Sequence, residues 1–258
     1  MLKNRERRRE PRSPNAKRQT PNGVVSSVNT WRSLLLIYGA IDVRLPESSR
    51  KTQRFIHSLT ETEVRDGVGA FEQFPSLVEE LTSGRASVQY DIRPVDRCLN
   101  SLTHMSDGMY WPSPSDTSQE IDRFGVQRSY DSIFVLWPQQ NLSEGTSVRS
   151  AGWGLGMAAS AWSNGATYAT VGNAESWIWQ IPVVGEVWLH EWLHGVCAYF
   201  ADLGYSMPDG DADGGGRHGY TQSRVTGWTD YYRDLMTAKV VEAGKRTGIP
   251  LEAWSSSA

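Results

Sequence analysis

The segment that most constrains the fold is an apolar stretch spanning residues 182–204. Pro182 suits the first turn of a helix, and Gly204 suits the position just after its end. The apolar residues between them fall on nearly every side of a helix: Val184, Val187, Trp188, Leu189, Leu193, Val196, Cys197 and Phe200. A helix that is apolar all round must be buried, so the rest of the chain has to supply layers that cover it.

Three runs upstream of this helix have the composition of strands. Residues 31–45 are rich in strand-forming residues and predict one buried strand, residues 87–95 alternate apolar with polar, and residues 132–137 predict a central strand. Residues 48–84 carry helical spacing, and Pro75 predicts the start of a second helix there.

The remaining segments complete an α+β fold in which a mixed sheet packs on helices. The glycine-rich residues 145–173 predict one or two strands where another backbone comes close. A short helix is expected over residues 118–124, a loop over 205–220 and a last helix over 229–244. We therefore expect a single domain over residues 24–258, with a sheet lobe over about residues 24–204 and a smaller C-terminal lobe over about 205–258.

The first 23 residues differ in composition from the rest. They carry eight Lys or Arg against Glu6 and Glu10, whereas the remainder carries 18 basic and 27 acidic residues. With three prolines and few apolar residues, residues 1–23 predict a disordered basic tail. No signal peptide or membrane-spanning segment is recognisable, which makes the cytoplasm the default expectation. A solvated tail is the preferred interpretation, a contact of the tail with nucleic acid or an anionic surface is the alternative, and the oligomeric state is not determined by the sequence.

The chemistry of the chain is concentrated in His190-Glu191-Trp192-Leu193-His194. On a helix, histidines four residues apart lie about 40° apart around the axis. Both rings can therefore reach one zinc ion at about 2.0–2.1 Å. Glu191 lies about 100° from His190, too far round to share the ion but close enough to take a proton from a zinc-bound water. The pattern predicts zinc ligands at His190 and His194, and a general base at Glu191.

This H-E-x-x-H helix, preceded by a glycine-rich segment and a strand, resembles the zincin metallopeptidases. The resemblance is specific over residues 190–194 and architectural over about 31–236. It implies a zinc-dependent peptidase that acts on peptides or proteins, with an edge strand above the helix that holds the substrate extended. The metzincin form of the motif has Gly and His where this chain has Cys197 and Phe200.

The third zinc ligand must therefore come from elsewhere, and His218 is the preferred candidate. It is the last histidine of the chain, and glycines on either side let its backbone approach the helix. The alternatives are Cys197, Glu242 and the aspartates of the loop that precedes His218: Asp209, Asp211 and Asp213.

Two further features of the C-terminal part remain open. Residues 209–214 match the first half of a calcium-binding loop, but the twelfth position is Tyr220 instead of glutamate, so an acidic surface turn and a partial Ca²⁺ site are the alternatives. Four residues are candidates for the hydrogen-bond donor to a developing oxyanion: Arg224, Tyr220, Tyr231 and Tyr232.

The leading function is thus a zinc metallopeptidase in which Glu191 activates a zinc-bound water. One alternative is a zinc hydrolase of a small amide or a specialised peptide. The other is a non-catalytic binding protein that uses the basic tail.

Overall fold

The computed structural model describes residues 29–48, 51–105, 108–125, 128–180 and 182–255. The predicted tail over residues 1–23 lies outside the described residues. Within them the chain is mixed α/β and agrees with the α+β prediction at that level. Among the described residues, no helix is long and apolar enough to cross a membrane.

The centre of the fold is a five-stranded sheet. Its strands are β1 (Asn29–Tyr38), β4 (Ala86–Val95), β7 (Ser132–Trp137), β10 (Gly154–Met157) and β11 (Thr167–Gly172). Their order in the sheet is β10-β11-β7-β1-β4. Four of them run parallel, and only β10 is antiparallel to its neighbour β11. The prediction that residues 132–137 form a central strand is confirmed, and all six residues of β7 are buried.

Alternate residues of the central strands enter two separate cores, as the period of a strand dictates. Leu35 and Phe134 face the core shared with the long helices, whereas Leu34 and Ile133 face the opposite core. Because the sheet is covered on both faces, the sequences of these strands are continuous apolar runs and do not alternate between apolar and polar residues.

The helices α1 (Glu61–Leu81), α4 (Glu186–Asp202) and α5 (Thr229–Leu235) cover the first face. The hairpin of β2 (Ala40–Ser48) and β3 (Lys51–Ser58), together with α2 (Ser118–Phe124), contributes to the second core. Smaller elements fill the connections: β5 (Thr103–His104), β6 (Tyr110–Trp111), β8 (Gln140–Asn141), β9 (Thr146–Ser147), α3 (Ser176–Trp179), β12 (Val240–Glu242) and β13 (Lys245–Thr247).

Several element predictions were wrong in their extent. Residues 31–45 form two strands because the chain leaves the sheet at Gly39 and starts the hairpin of β2 and β3. Pro75 lies inside one continuous helix, since Phe71, Phe74 and Val78 are fully buried on either side of it and offset the roughly 3 kcal/mol that proline costs in a helix.

The C-terminal helix is also shorter than predicted. It ends at Leu235, the chain turns at Ala238 with φ +50°, and residues 240–247 form the hairpin of β12 and β13. The division into two lobes stays a prediction. Trp254, from the C-terminal part, stacks on Trp192 of α4 with ring centroids 6.1 Å apart and belongs to the core of the first sheet face.

Candidate metal and catalytic site

The site is built on α4, which begins at Glu186, four residues later than Pro182 predicts. Ten of its residues are buried, as expected for a helix that is apolar on nearly every side. The partly exposed His190 and His194 occupy the same face, with ring centroids 4.9 Å apart. The i, i+4 spacing has therefore brought the two rings together as predicted.

The three residues of the motif form one group of metal-ligating type. Ligand atoms of His190, Glu191 and His194 all lie within 4.8 Å of one another. Glu191 Oε1 is 4.0 Å from His190 Nε2, and the Glu191 side chain is buried. The Glu191 carboxylate therefore lies close enough to the histidines to share a site with them.

The Asp213 carboxylate lies near both histidines. Its Oδ1 is 3.5 Å from His190 Nε2, and its Oδ2 is 3.9 Å from His194 Nε2. Two ligand atoms on a tetrahedral zinc ion lie roughly 3.4 Å apart when each bond is about 2.0–2.1 Å. Each oxygen of the Asp213 carboxylate therefore lies near one imidazole nitrogen, at distances somewhat longer than or similar to that spacing.

The remaining ring nitrogens of the histidines are held by neighbouring groups. His194 Nδ1 is 2.7 Å from Asp211 Oδ1, and His190 Nδ1 is 2.8 Å from the Tyr232 hydroxyl. Such contacts fix the orientation of each ring and leave both Nε2 atoms directed towards Asp213. Sequence reasoning named Asp211 and Tyr232 as candidates for other roles and did not find these contacts.

The surroundings shift the pKa values of these groups strongly. Burial raises the pKa of Glu191 to about 8. Burial and the neighbouring His194 lower the pKa of His190, which keeps that ring neutral. Burial also acts to lower the pKa of His194, but the Asp211 carboxylate outweighs it and the pKa lies above the usual range. In the chain without a metal, Glu191 and His190 thus tend to be uncharged.

His218 lies apart from this group. Its Nε2 is 3.0 Å from the backbone carbonyl of Asp209, and its ring is stacked parallel to Tyr231. Its role as third zinc ligand stays a prediction, and these contacts lend it no support. Among the alternatives, Cys197 is buried in the core, and Glu242 accepts the backbone N–H of Asp209.

The three aspartates of the half calcium loop contact different groups. Asp209 pairs with Arg217 at 2.8 Å, Asp211 contacts His194, and Asp213 faces the two Nε2 atoms. Residues Asp211–His218 form 3₁₀ turns where the sequence predicted a loop. The Ca²⁺ hypothesis stays untested, and this divergence of the carboxylates gives it no support.

The hydroxyls of the three tyrosines proposed as oxyanion donors all have partners. Tyr220 donates to Asp234, Tyr231 donates to the carbonyl of Asp211, and Tyr232 contacts His190. Of the three, Tyr232 alone lines the cleft described next, and Arg224 is exposed. Of these tyrosines, Tyr232 is therefore the one that contacts the histidine pair directly.

A cleft of about 700 Å³ opens in front of the histidines. Strand β10 forms one wall, and it approaches α4 closely because two of its residues are glycines. A Cβ on Gly154 would lie 2.5 Å from the Glu191 side chain, and a Cβ on Gly156 would collide with the Glu191 carbonyl. The prediction that glycines between residues 145 and 173 allow a close backbone approach is confirmed, and the backbone approached is that of α4.

The other wall of the cleft is largely apolar. It includes Ile178 and Trp179 of α3, Val183 and Val187 around the start of α4, and Trp228. The charged residues that line the cleft are Glu186, Glu191 and Asp213, besides the two histidines. The cleft therefore combines an apolar pocket with a metal-ligating group at the edge of the sheet.

Comparisons with known proteins give no match at any level. No protein-family model matches the chain, and neither a curated protein nor a solved structure is detectably similar to it. The functional argument therefore rests on the geometry of the site.

Proposed function

We propose that this chain is a zinc-dependent peptidase whose metal is held by His190, His194 and Asp213. The proposal rests on the position of the Asp213 carboxylate. Its Oδ1 lies 3.5 Å from His190 Nε2, and its Oδ2 lies 3.9 Å from His194 Nε2. Three protein ligands with an open fourth position are typical of catalytic zinc, whereas structural zinc takes four protein ligands. Asp213 replaces His218 as our preferred third ligand.

Zinc bound there would polarise a water molecule and the carbonyl of the substrate. Glu191 would accept a proton from that water, since its Oε1 lies 4.0 Å from His190 Nε2 although it is about 100° further round the helix. Its burial raises the pKa of the carboxyl to about 8 before any metal is bound, so a nearby cation is needed to bring it into the ionised form in which it acts as a base. Glu191 can then pass the proton to the leaving amine.

A peptide is the substrate class that the neighbouring strand favours. β10 lies at one end of the sheet order and pairs with β11 on one side. An extended peptide can add to the free edge of such a strand through backbone hydrogen bonds. The apolar wall around Trp179 and Val187 would then take one side chain of that peptide.

The test is to compare Glu191→Gln with the wild-type chain on a mixture of unstructured peptides. The amide keeps the shape of the side chain but cannot accept the proton, so we expect zinc content to stay the same and cleavage to fall about 100-fold or more. Cleavage at the wild-type rate would remove Glu191 from the mechanism. Hydrolysis of small amides without cleavage of any peptide would favour the alternative hydrolase function.

A further inference from the structure

Glu186 is a buried carboxylate close to the site that the mechanism above does not use. It is the first residue of α4 and precedes His190 by four residues, about one helical turn. Only 7% of the residue is exposed. Its Oε1 accepts the backbone N–H of Trp228 at 2.5 Å, while Oε2 has no hydrogen-bond partner among the described residues. A buried charge without a cation is costly, so its presence here requires a reason.

The carboxylate lies against a tight turn made by residues 223–227. Ser223 and Gly227 exchange two backbone hydrogen bonds, at 2.9 and 3.1 Å, which close the turn. Gly227 has φ +55°, and a Cβ at that position would collide with the Glu186 carboxylate. Only glycine allows the turn to lie this close to the start of α4.

The same turn leads directly into α5 and from there back to the metal-binding face. Trp228 is the residue before α5, and its carbonyl accepts the N–H of Tyr232 at 3.0 Å in the first helical turn. The hydroxyl of Tyr232 lies 2.8 Å from His190 Nδ1. The contacts thus form a closed circuit from Glu186 through Trp228 and Tyr232 to His190, one turn further along α4.

We propose that Glu186 is a positioning residue that holds the start of α5 and thereby sets the Tyr232 hydroxyl against His190. It acts through Trp228 and Tyr232 and is not a metal ligand in this proposal, although it also lines the cleft. The inference rests on the proposed function only in treating His190 as a zinc ligand. Burial also raises the pKa of Glu186, in keeping with a group that is present for its contact with the turn and not for an ion pair.

Three variants test this circuit. Glu186→Met removes the acceptor at similar size, Glu186→Gln retains one acceptor oxygen, and Tyr232→Phe removes the last contact while keeping the ring. The first readout is the ¹⁵N spectrum of the His190 ring in the purified full-length chain. The second is zinc affinity measured by competition with a chelator. The melting temperature of each variant is recorded to confirm that it is folded.

We expect Glu186→Met to shift the His190 ring signals and to lower zinc affinity about tenfold, the lower end of the effect for groups that orient a metal-bound histidine. Glu186→Gln should shift the same signals in the same direction by a smaller amount, because a neutral amide oxygen accepts more weakly than a carboxylate. His57, which lies on β3 and contacts Glu63, is the internal control, and its ring signals should not move.

The combination of variants decides whether Glu186 acts through Tyr232. In the Tyr232→Phe background, Glu186→Met should change zinc affinity by less than about twofold, because the contact between the Tyr232 hydroxyl and His190 is already missing. The same tenfold loss in both backgrounds would overturn the proposal. So would unchanged His190 signals in the folded Glu186 variants, and Glu186→Gln supplies this comparison if Glu186→Met fails to fold. A wild-type chain that binds no zinc would refute the proposed function, while the ring signals would still decide the role of Glu186.

Discussion

The close approach of β10 to α4 makes Gly154→Ala a sensitive probe of the proposed site. The added Cβ would lie 2.5 Å from Cγ, Cδ and Oε1 of Glu191. Non-bonded carbon atoms normally lie about 3.5–4.0 Å apart, so the Glu191 side chain or the strand has to move by about 1 Å. A displacement of this size at a reacting group costs about 100-fold in rate.

The substitution leaves the proposed zinc ligands in place, because the nearest atoms to the new Cβ all belong to Glu191. We therefore expect Gly154→Ala to keep its zinc and to lose about 100-fold in kcat/KM on a peptide substrate. Steady-state kinetics and zinc analysis on the same preparation measure both. Gly216→Ala is the matched control, since that glycine is close in sequence to Asp213 and a Cβ there would meet nothing within 4 Å.

An activity of Gly154→Ala within about twofold of wild type would refute the reasoning, because Glu191 would then tolerate displacement.

Gly156→Ala should reduce activity more than Gly154→Ala. Its Cβ would collide with the backbone carbonyl of Glu191, which cannot rotate away. The strand has to leave the helix, so stability should fall by about 1–3 kcal/mol along with activity.

Three further predictions concern the third ligand and a buried ion pair outside the cleft. Asp213→Ala should lower zinc affinity far more than His218→Ala, by at least about tenfold in a chelator competition, and the reverse order would restore His218 as the ligand. Arg97→Met should lower the free energy of unfolding in urea by about 3 kcal/mol, because it leaves buried Glu120 without the guanidinium that lies 2.7 Å away. A decrease of less than about 1 kcal/mol would contradict this. Burial alone would raise the pKa of Glu120, but Arg97 outweighs it and holds that pKa below its usual range. The pair therefore stabilises the fold above about pH 4.3, and this contribution is lost as pH falls through the pKa of Glu120 in the folded chain. In Arg97→Met only the Tyr38 hydroxyl and a backbone hydrogen bond still oppose the effect of burial, so the loss of unfolding free energy as pH falls through that range should be smaller than in wild type; the same pH dependence as wild type would contradict the assignment.

The sequence predicted those parts of the fold that depend on local pattern. The spacing of His190 and His194 placed both rings on one face of a buried helix, and residues 118–124 and 132–137 gave a helix and a strand with those bounds. A signal that was missed is the capping box of Thr60 and Glu63, in which each side chain accepts a hydrogen bond from the backbone of the other residue. It marks the start of α1 and would have separated this helix from β3.

The errors share a cause, which is that tertiary contacts override local preference. Pro75 is kept within a helix by buried neighbours, and Gly39 divides one apolar run into two strands that belong to different sheets. The preference for His218 as the third ligand stays a prediction. His218 was favoured by residue type, whereas Asp213 is brought to the histidines by the 3₁₀ turns of residues 211–218, whose start has Asp211 at φ +37°. No local pattern distinguishes which side of such a turn faces the helix.

The zinc content of the purified wild-type chain, measured beside His190→Ala, tests the central claim most directly. If His190, His194 and Asp213 form the metal site, the wild-type chain supplied with zinc should hold one zinc ion per molecule. His190→Ala should hold almost none, since two ligands cannot retain the ion against a chelator. A wild-type chain without zinc, or a His190→Ala variant with a full equivalent, would contradict the account.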